Sequence, residues 1–128
     1  MPNLTETIIG CAMRVHTALG PGFLEKVYEN ALIIELQEAG LFVEQQKSLP
    51  VYYRDKVVGE YFADLLVERK VILELKAVKG LTEEFTSICL HYLKAAKMPV
   101  CLLINFGKPR LEWKRLVGET YLNETETI

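Results

Sequence analysis

The sequence predicts an α/β (α+β) fold: a mixed sheet flanked by helices. Three observations predict it. Apolar residues first recur at helical spacing. From Val43 they change to a strand pattern enriched in Val, Tyr, Phe and Ile, and after Thr82 they return to helical spacing. Pro99 then opens a further strand, led by the apolar run Val100-Cys101-Leu102-Leu103-Ile104. The expected order is α, α, β, β, β, α, β, β. A strand meander followed by a crossover helix and a buried strand makes a mixed sheet.

The first helix spans 3–19. Asn3 and Glu6 have capping-box spacing, and Ile8, Ile9, Ala12, Val15 and Leu19 recur at helical intervals. Gly20-Pro21-Gly22 ends it in a tight corner. The second helix spans 24–39, with Gly40 just beyond it and an apolar stripe of Leu24, Val27, Ala31 and Ile34 beside Leu32 and Leu36. Strands follow at 43–53, 57–67 and 71–78, with turns at Arg54-Asp55-Lys56 and Glu68-Arg69-Lys70. Pro50 requires an edge or a bulge. The third helix spans 83–97 and is N-capped by Thr82. Glu83 and Glu84 suit the positive end of its dipole, and Phe85, Ile88, Cys89, Tyr92 and Ala96 form its buried face. A buried strand at 100–106, a turn at Gly107-Lys108-Pro109 and a last strand at 111–117 follow.

The chain has 128 residues, 50% hydrophobic, with a net charge of −2. This fits one domain, 1–128, with its core at about 5–117 and a frayed tail at 118–128. Such a chain buries roughly two-thirds of its unfolded surface, and its apolar content excludes disorder as the main state. No apolar run approaches the roughly 20 residues of a membrane span, so no membrane association is expected. Met-Pro-Asn-Leu-Thr-Glu has no basic n-region, so no signal peptide is expected. Cys11, Cys89 and Cys101 are odd in number and set among apolar neighbours, which fits reduced buried thiols in a cytoplasmic protein. Between His91 and Val117, six basic residues (Lys94, Lys97, Lys108, Arg110, Lys114, Arg115) face one acid, Glu112. Two readings stand: solvated lysines, or a rim facing phosphates.

Chemistry concentrates in 61–67 and 71–77. Glu74 and Lys76 are two apart on a strand and project from one face. A two-residue loop at Arg69-Lys70 puts Asp64 on the opposite face. A three-residue loop at Glu68-Arg69-Lys70 pairs Val67 with Val71 and Asp64 with Glu74, so that all three charged groups share a face. We expect the three-residue loop or an equivalent bulge. Two adjacent carboxylates repel, so one stays protonated or a cation joins them. Mg²⁺ or Mn²⁺ suits their oxygens, with the Leu75 backbone carbonyl as a third ligand. An adjacent lysine can hold a water and a phosphate oxygen, as phosphodiester hydrolysis requires. The plainer reading is a surface salt bridge. Against it, Leu65-Leu66-Val67 and Val71-Ile72-Leu73 read as strands buried on both faces, where charges are costly unless paired or metal-bound.

Asp64 followed by Glu74-Leu75-Lys76, on adjacent strands between helices, resembles the PD-(D/E)xK nuclease superfamily. Gly22-Phe23-Leu24-Glu25-Lys26-Val27-Tyr28 is similar to the signature of its GxxExxY family. Ala63-Asp64, Tyr92-Leu93 and Leu102-Leu103-Ile104-Asn105-Phe106-Gly107 match as well, so the resemblance covers about 5–117. It implies a nuclease-like αβββαβ core with an extra N-terminal helix. It also implies Asp64 and Glu74 as metal ligands, Lys76 in the catalytic position and Glu25 as a further acid. On the residues alone, Glu25 shares a helix face with Tyr28 and Glu29, and is equally an exposed acid favoured by the helix dipole. Tyr28, Tyr92, Lys94 and Lys97 are the substrate-binding candidates, though Tyr28 also reads as core packing.

One departure stands out. Members of the family that look active carry Gln four residues before the Tyr-Leu pair; here that residue is Ile88, with Thr86 or His91 as alternative polar groups. His16 and His91 otherwise read as packed or surface histidines. The expected function is a divalent-metal-dependent nuclease acting on nucleic acid, DNA by analogy. The alternative is a weak or inactive nuclease-fold module for binding or assembly, as a homodimer or with a larger protein partner. Chemistry on another phosphate-bearing substrate is a third option. No Gly-rich phosphate loop, nucleophile motif or dinucleotide fingerprint is present.

Overall fold

The computed structural model describes residues 3–119 and 127–128. Asn3 Oδ1 accepts from the Glu6 N–H at 2.9 Å and starts α1, Leu4–Leu19; Gly20 caps it at φ +69. After the glycine corner comes α2, Glu25–Glu38. Then follow β1 (Val43–Tyr53), β2 (Lys56–Val67), β3 (Val71–Lys76), α3 (Glu83–Ala96), β4 (Val100–Asn105) and β5 (Glu112–Val117). The eight elements come in the expected order.

The strands form one sheet in the order β1-β2-β3-β4-β5. β3 and β4 are parallel across the α3 crossover, and the other neighbours are antiparallel, so the sheet is mixed. Pro50 lies on the edge strand β1, beside a register shift at Val51/Tyr52. Arg54 and Asp55 both take positive φ in a two-residue hairpin turn, and Lys56 joins β2. The Glu68-Arg69-Lys70 loop has three residues: Val67 pairs with Val71, Leu66 with Ile72 and Leu65 with Leu73.

Two apolar clusters cover the sheet. α1 and α2 pack on Leu65, Val67, Val71, Leu73, Leu75, Leu102 and Ile104. α3 packs on Leu49, Ala63, Leu66, Ile72, Cys101 and Leu103 through Cys89 and Leu93. All three cysteines are buried and free.

Two helix faces differ from expectation. α2 buries Tyr28, Glu29, Leu32 and Leu36, whereas Leu24 is 79% and Ile34 59% exposed. The buried face keeps the flank, Leu32 and Leu36, and of the expected stripe keeps Ala31 packed on the core, because the anchoring residue is Tyr28 and not Leu24. On α3, Ile88 is 40% exposed and Leu93 takes its place in the core. Thr82 N-caps α3 without a side-chain bond. The expected frayed tail falls mainly on 120–126, outside the described residues. At the described terminus, the Ile128 carbonyl accepts from the Thr5 N–H at 2.6 Å and from its hydroxyl.

Candidate active site

The β2–β3 ladder stops at Leu65/Leu73, and the next rung is Asp64/Glu74. There the backbone donors pass crosswise to side chains. The Asp64 N–H donates to Glu74 Oε1 at 3.2 Å, and the Leu75 N–H donates to Asp64 Oδ2 at 2.8 Å. The strands part at this rung and form a fork. The same rung reverses the faces of β1 and β2. Leu65 and Val67 pack towards α1 and α2, yet Ala63 packs towards α3; Val43 and Leu49 divide likewise. Strict alternation would keep each pair together. The reversal coincides with Gln46, which stands across from Asp64, is missing from the ladder and has φ +50.

Glu74 is 5% exposed. Burial, reinforced by the Asp64 charge, pushes its pKa up to about 9 from an ordinary 4.5. Burial also raises Asp64, against the Leu75 N–H, which lowers it. Each carboxylate is therefore costly to ionise without a cation. Lys76 leaves β3 on the same face. Its ammonium lies 4.8 Å from the centre of the Phe85 ring and acts on both carboxylates through its charge, not an ion pair.

α2 supplies a third carboxylate, and it is Glu29. Glu25 is exposed in the first turn. Glu29, one turn on, is buried. It accepts from Gln45 Nε2 at 2.6 Å, from Lys26 Nζ at 2.8 Å and from Gln46 Nε2 at 3.2 Å. Gln46 Nε2 also reaches Asp64 Oδ1 at 3.4 Å, so it bridges the two acids. Of the two acids on one face of α2, the rotation of the helix fixed by Tyr28 puts Glu29 inside and leaves Glu25 outside. Among the described residues, no three His, Cys, Asp or Glu side chains converge closely enough to cage an ion by themselves.

Tyr28 is fully buried and stacks on Phe106, with centroids 4.7 Å apart. Its hydroxyl donates to the Gly20 carbonyl at 2.6 Å and accepts from the Phe23 N–H at 3.1 Å. These bonds fasten the glycine corner to α2, in keeping with the core-packing reading of Tyr28. Tyr92, on α3, is half-buried and meets Tyr61 at 5.2 Å. Burial, then the charges of Glu74 and Asp64, push its hydroxyl up to about 12. Lys94, farther along α3, and Lys97, at the C-cap of that helix, line a groove with His91. The basic stretch is not one rim. Lys108 pairs with Glu112 at 3.5 Å, and Lys114 and Arg115, adjacent on β5, point to opposite faces.

Sequence reasoning also missed Asn105. It is fully buried. Its Oδ1 accepts from the Val78 and Gly107 N–H groups at 3.0 Å each, and its Nδ2 donates to the Val78 carbonyl at 3.0 Å and to Glu112 at 3.1 Å. The Phe106 N–H donates to the Lys76 carbonyl at 2.8 Å. Together they fix the chain as it leaves β3, and with it the base of Lys76. A polar residue ending an otherwise apolar strand was the available signal. Of the groups weighed as substitutes for glutamine at position 88, His91 is exposed in the groove, and Thr86 has a buried Oγ1 without a partner among the described residues.

Among the described residues, no helix is long and apolar enough to cross a membrane. Neither a curated protein nor a solved structure matches the chain. A family model does, that of the PD-(D/E)XK nuclease superfamily, over residues 2–116. The match takes in α1 to β5, the fork and its Asp64, Glu74 and Lys76, and the chain belongs to the PD-(D/E)XK nuclease superfamily.

Proposed function

We propose that the chain is a divalent-metal-dependent nuclease of the GxxExxY family that hydrolyses phosphodiester bonds in DNA. The observation that carries this reading is the fork: the buried Glu74 and the half-buried Asp64, their carboxylates bonded crosswise on one rung with Lys76 on the same face. Their pKa values lie above the usual carboxylate range, which is the state a dication relieves. Asp64 and Glu74 would hold Mg²⁺ or Mn²⁺. A strand residue presents its N–H and C=O to the same neighbour, so the Leu75 carbonyl faces the fork and supports the expectation of a backbone ligand. Two carboxylates suit Mg²⁺, which keeps several of its waters. When bound, such an ion supplies Lewis acidity and a water of lowered pKa.

The protein does the positioning. Lys76 carries its charge next to the fork without being tied to either carboxylate, which leaves its ammonium available to a phosphate oxygen and the attacking water. Glu29 and Gln46 hold Asp64 in place from the α2 side. Glu25, exposed at the helix start, is kept as a contact for water or a second ion outside the fork.

The test is cleavage of labelled DNA and RNA with Mg²⁺, Mn²⁺ or EDTA. DNA cleavage is expected with metal and none in EDTA. Asp64→Ala and Glu74→Ala should each lose about a thousandfold, several kcal/mol of transition-state stabilisation, and Lys76→Ala at least a hundredfold. Variants that cut as well as wild type would sink the reading. One observation favours a second reading, a module with little or no catalysis: Ile88, exposed on α3, offers no hydrogen bond. That module binds metal or nucleic acid yet leaves every substrate intact.

A further inference from the structure

Beyond Val51 the β1–β2 hairpin runs past the end of β3 as a two-stranded arm, and α3 lies beside it. Between arm and helix is a groove of about 700 Å³ that the catalytic reading does not use. Tyr52, Arg54 and Tyr61 line the arm side, and His91, Lys94 and Lys97 the helix side. Asp55 is the acid on these walls, against three permanent cations. Tyr52 and Tyr61 are 61% and 41% exposed, although strands of this composition ordinarily bury their aromatics. Tyr61 touches Tyr92, which in turn feels the charges of Glu74 and Asp64. Tyr92 also packs on the apolar cluster that holds Ala63, the residue before Asp64, so this pair of rings leads from the groove towards the fork.

We propose that this groove binds a single strand of nucleic acid, with its phosphates against Arg54, Lys94 and Lys97 and unpaired bases on Tyr52 and Tyr61. The proposal rests on the nuclease reading for its direction: the strand leads past Tyr61 and Tyr92 towards Asp64 and Glu74. The rings select the strandedness. A duplex keeps its base faces stacked inside and presents only edges and phosphates, whereas exposed tyrosines beside cations stack on bases that have no partner. Cations without such rings would serve a duplex equally well.

The experiment is fluorescence anisotropy with the full chain in EDTA, using labelled oligothymidylate and a duplex of equal length. Single strands should bind at least about tenfold more tightly than duplex, and Tyr52→Ala should weaken them about tenfold. Lys94→Gln should weaken binding and reduce its salt dependence by about one phosphate contact. Arg69→Ala removes a cation at the β2–β3 turn and should keep wild-type affinity. The proposal is overturned by absence of binding, by equal or tighter duplex binding, or by Tyr52→Ala and Lys94→Gln variants that bind normally. It is also overturned if sedimentation shows a dimer that Tyr52→Ala dissociates, since the arm then faces a second copy. Single-strand binding without cleavage in metal contradicts the nuclease reading alone. Cleavage of duplex without single-strand binding contradicts the groove alone.

Discussion

Glu74 holds its proton because the fold removes water from it and sets Asp64 beside it. The consequence for stability has a definite sign. A carboxyl whose folded pKa is about 9, against 4.5 ordinarily, favours the folded state most below about pH 4.5 and loses that contribution as pH rises towards 9. In EDTA, the melting temperature should therefore fall from pH 5 to about pH 9. Glu74→Gln, which cannot ionise, should flatten the fall and melt higher than wild type at the alkaline end. A wild-type melting temperature that rises over that range would contradict the assignment. Tyr28→Phe makes the opposite case. It leaves the Gly20 carbonyl and the Phe23 N–H without their buried partner, and should destabilise by about 1–3 kcal/mol in denaturant titration. The residue types were readable in the sequence, but their assignments were only partly so. Asp64, Glu74 and Lys76 stood out as charges in apolar strands. Glu25 and Glu29 are indistinguishable by spacing, and only the packing of Tyr28 on Phe106 decides which one is buried.

At the scale of elements, the site depends on a loop length. With three residues between Val67 and Val71, Asp64 falls opposite Glu74; with two, it falls on the other face. This was legible in the sequence because strand parity is discrete. The reversal of β1 and β2 at Gln46 and Asp64 was not legible, because a single left-handed glutamine leaves no mark in the hydrophobic pattern. Deleting Arg69 should shift the pairing, turn Asp64 from Glu74 and abolish Mn²⁺ binding. Unchanged binding in a folded deletion variant would argue against the register. The exit of β3 depends on Gly107 in the same way. A Cβ there would stand 2.4 Å from the backbone N and O of Val78. Gly107→Ala should cost at least about 1–3 kcal/mol, read by thermal denaturation, by forcing apart the strand ends that Asn105 ties.

Over the whole molecule, the fork lies where the projecting β1–β2 arm leaves the sheet, with α2 reaching it from one side and α3 from the other. Element order and sheet type followed from periodicity and from the single crossover helix. Helix faces followed less well, because Leu24, Ile34 and Ile88 are apolar yet exposed, and composition does not say which apolar residues the sheet covers. The charge pattern was legible as a bias but not as a surface: the fold places Lys94 and Lys97 along the groove, whereas Lys108 pairs with Glu112. The central claim is that Asp64 and Glu74 exchange a proton for a dication. Isothermal titration with Mn²⁺ in two buffers of different ionisation enthalpy tests it most directly. Saturable binding should release about one proton at neutral pH, and both the binding and the release should vanish in Glu74→Gln. Absence of binding, or binding that survives Glu74→Gln with the same proton release, would contradict the account.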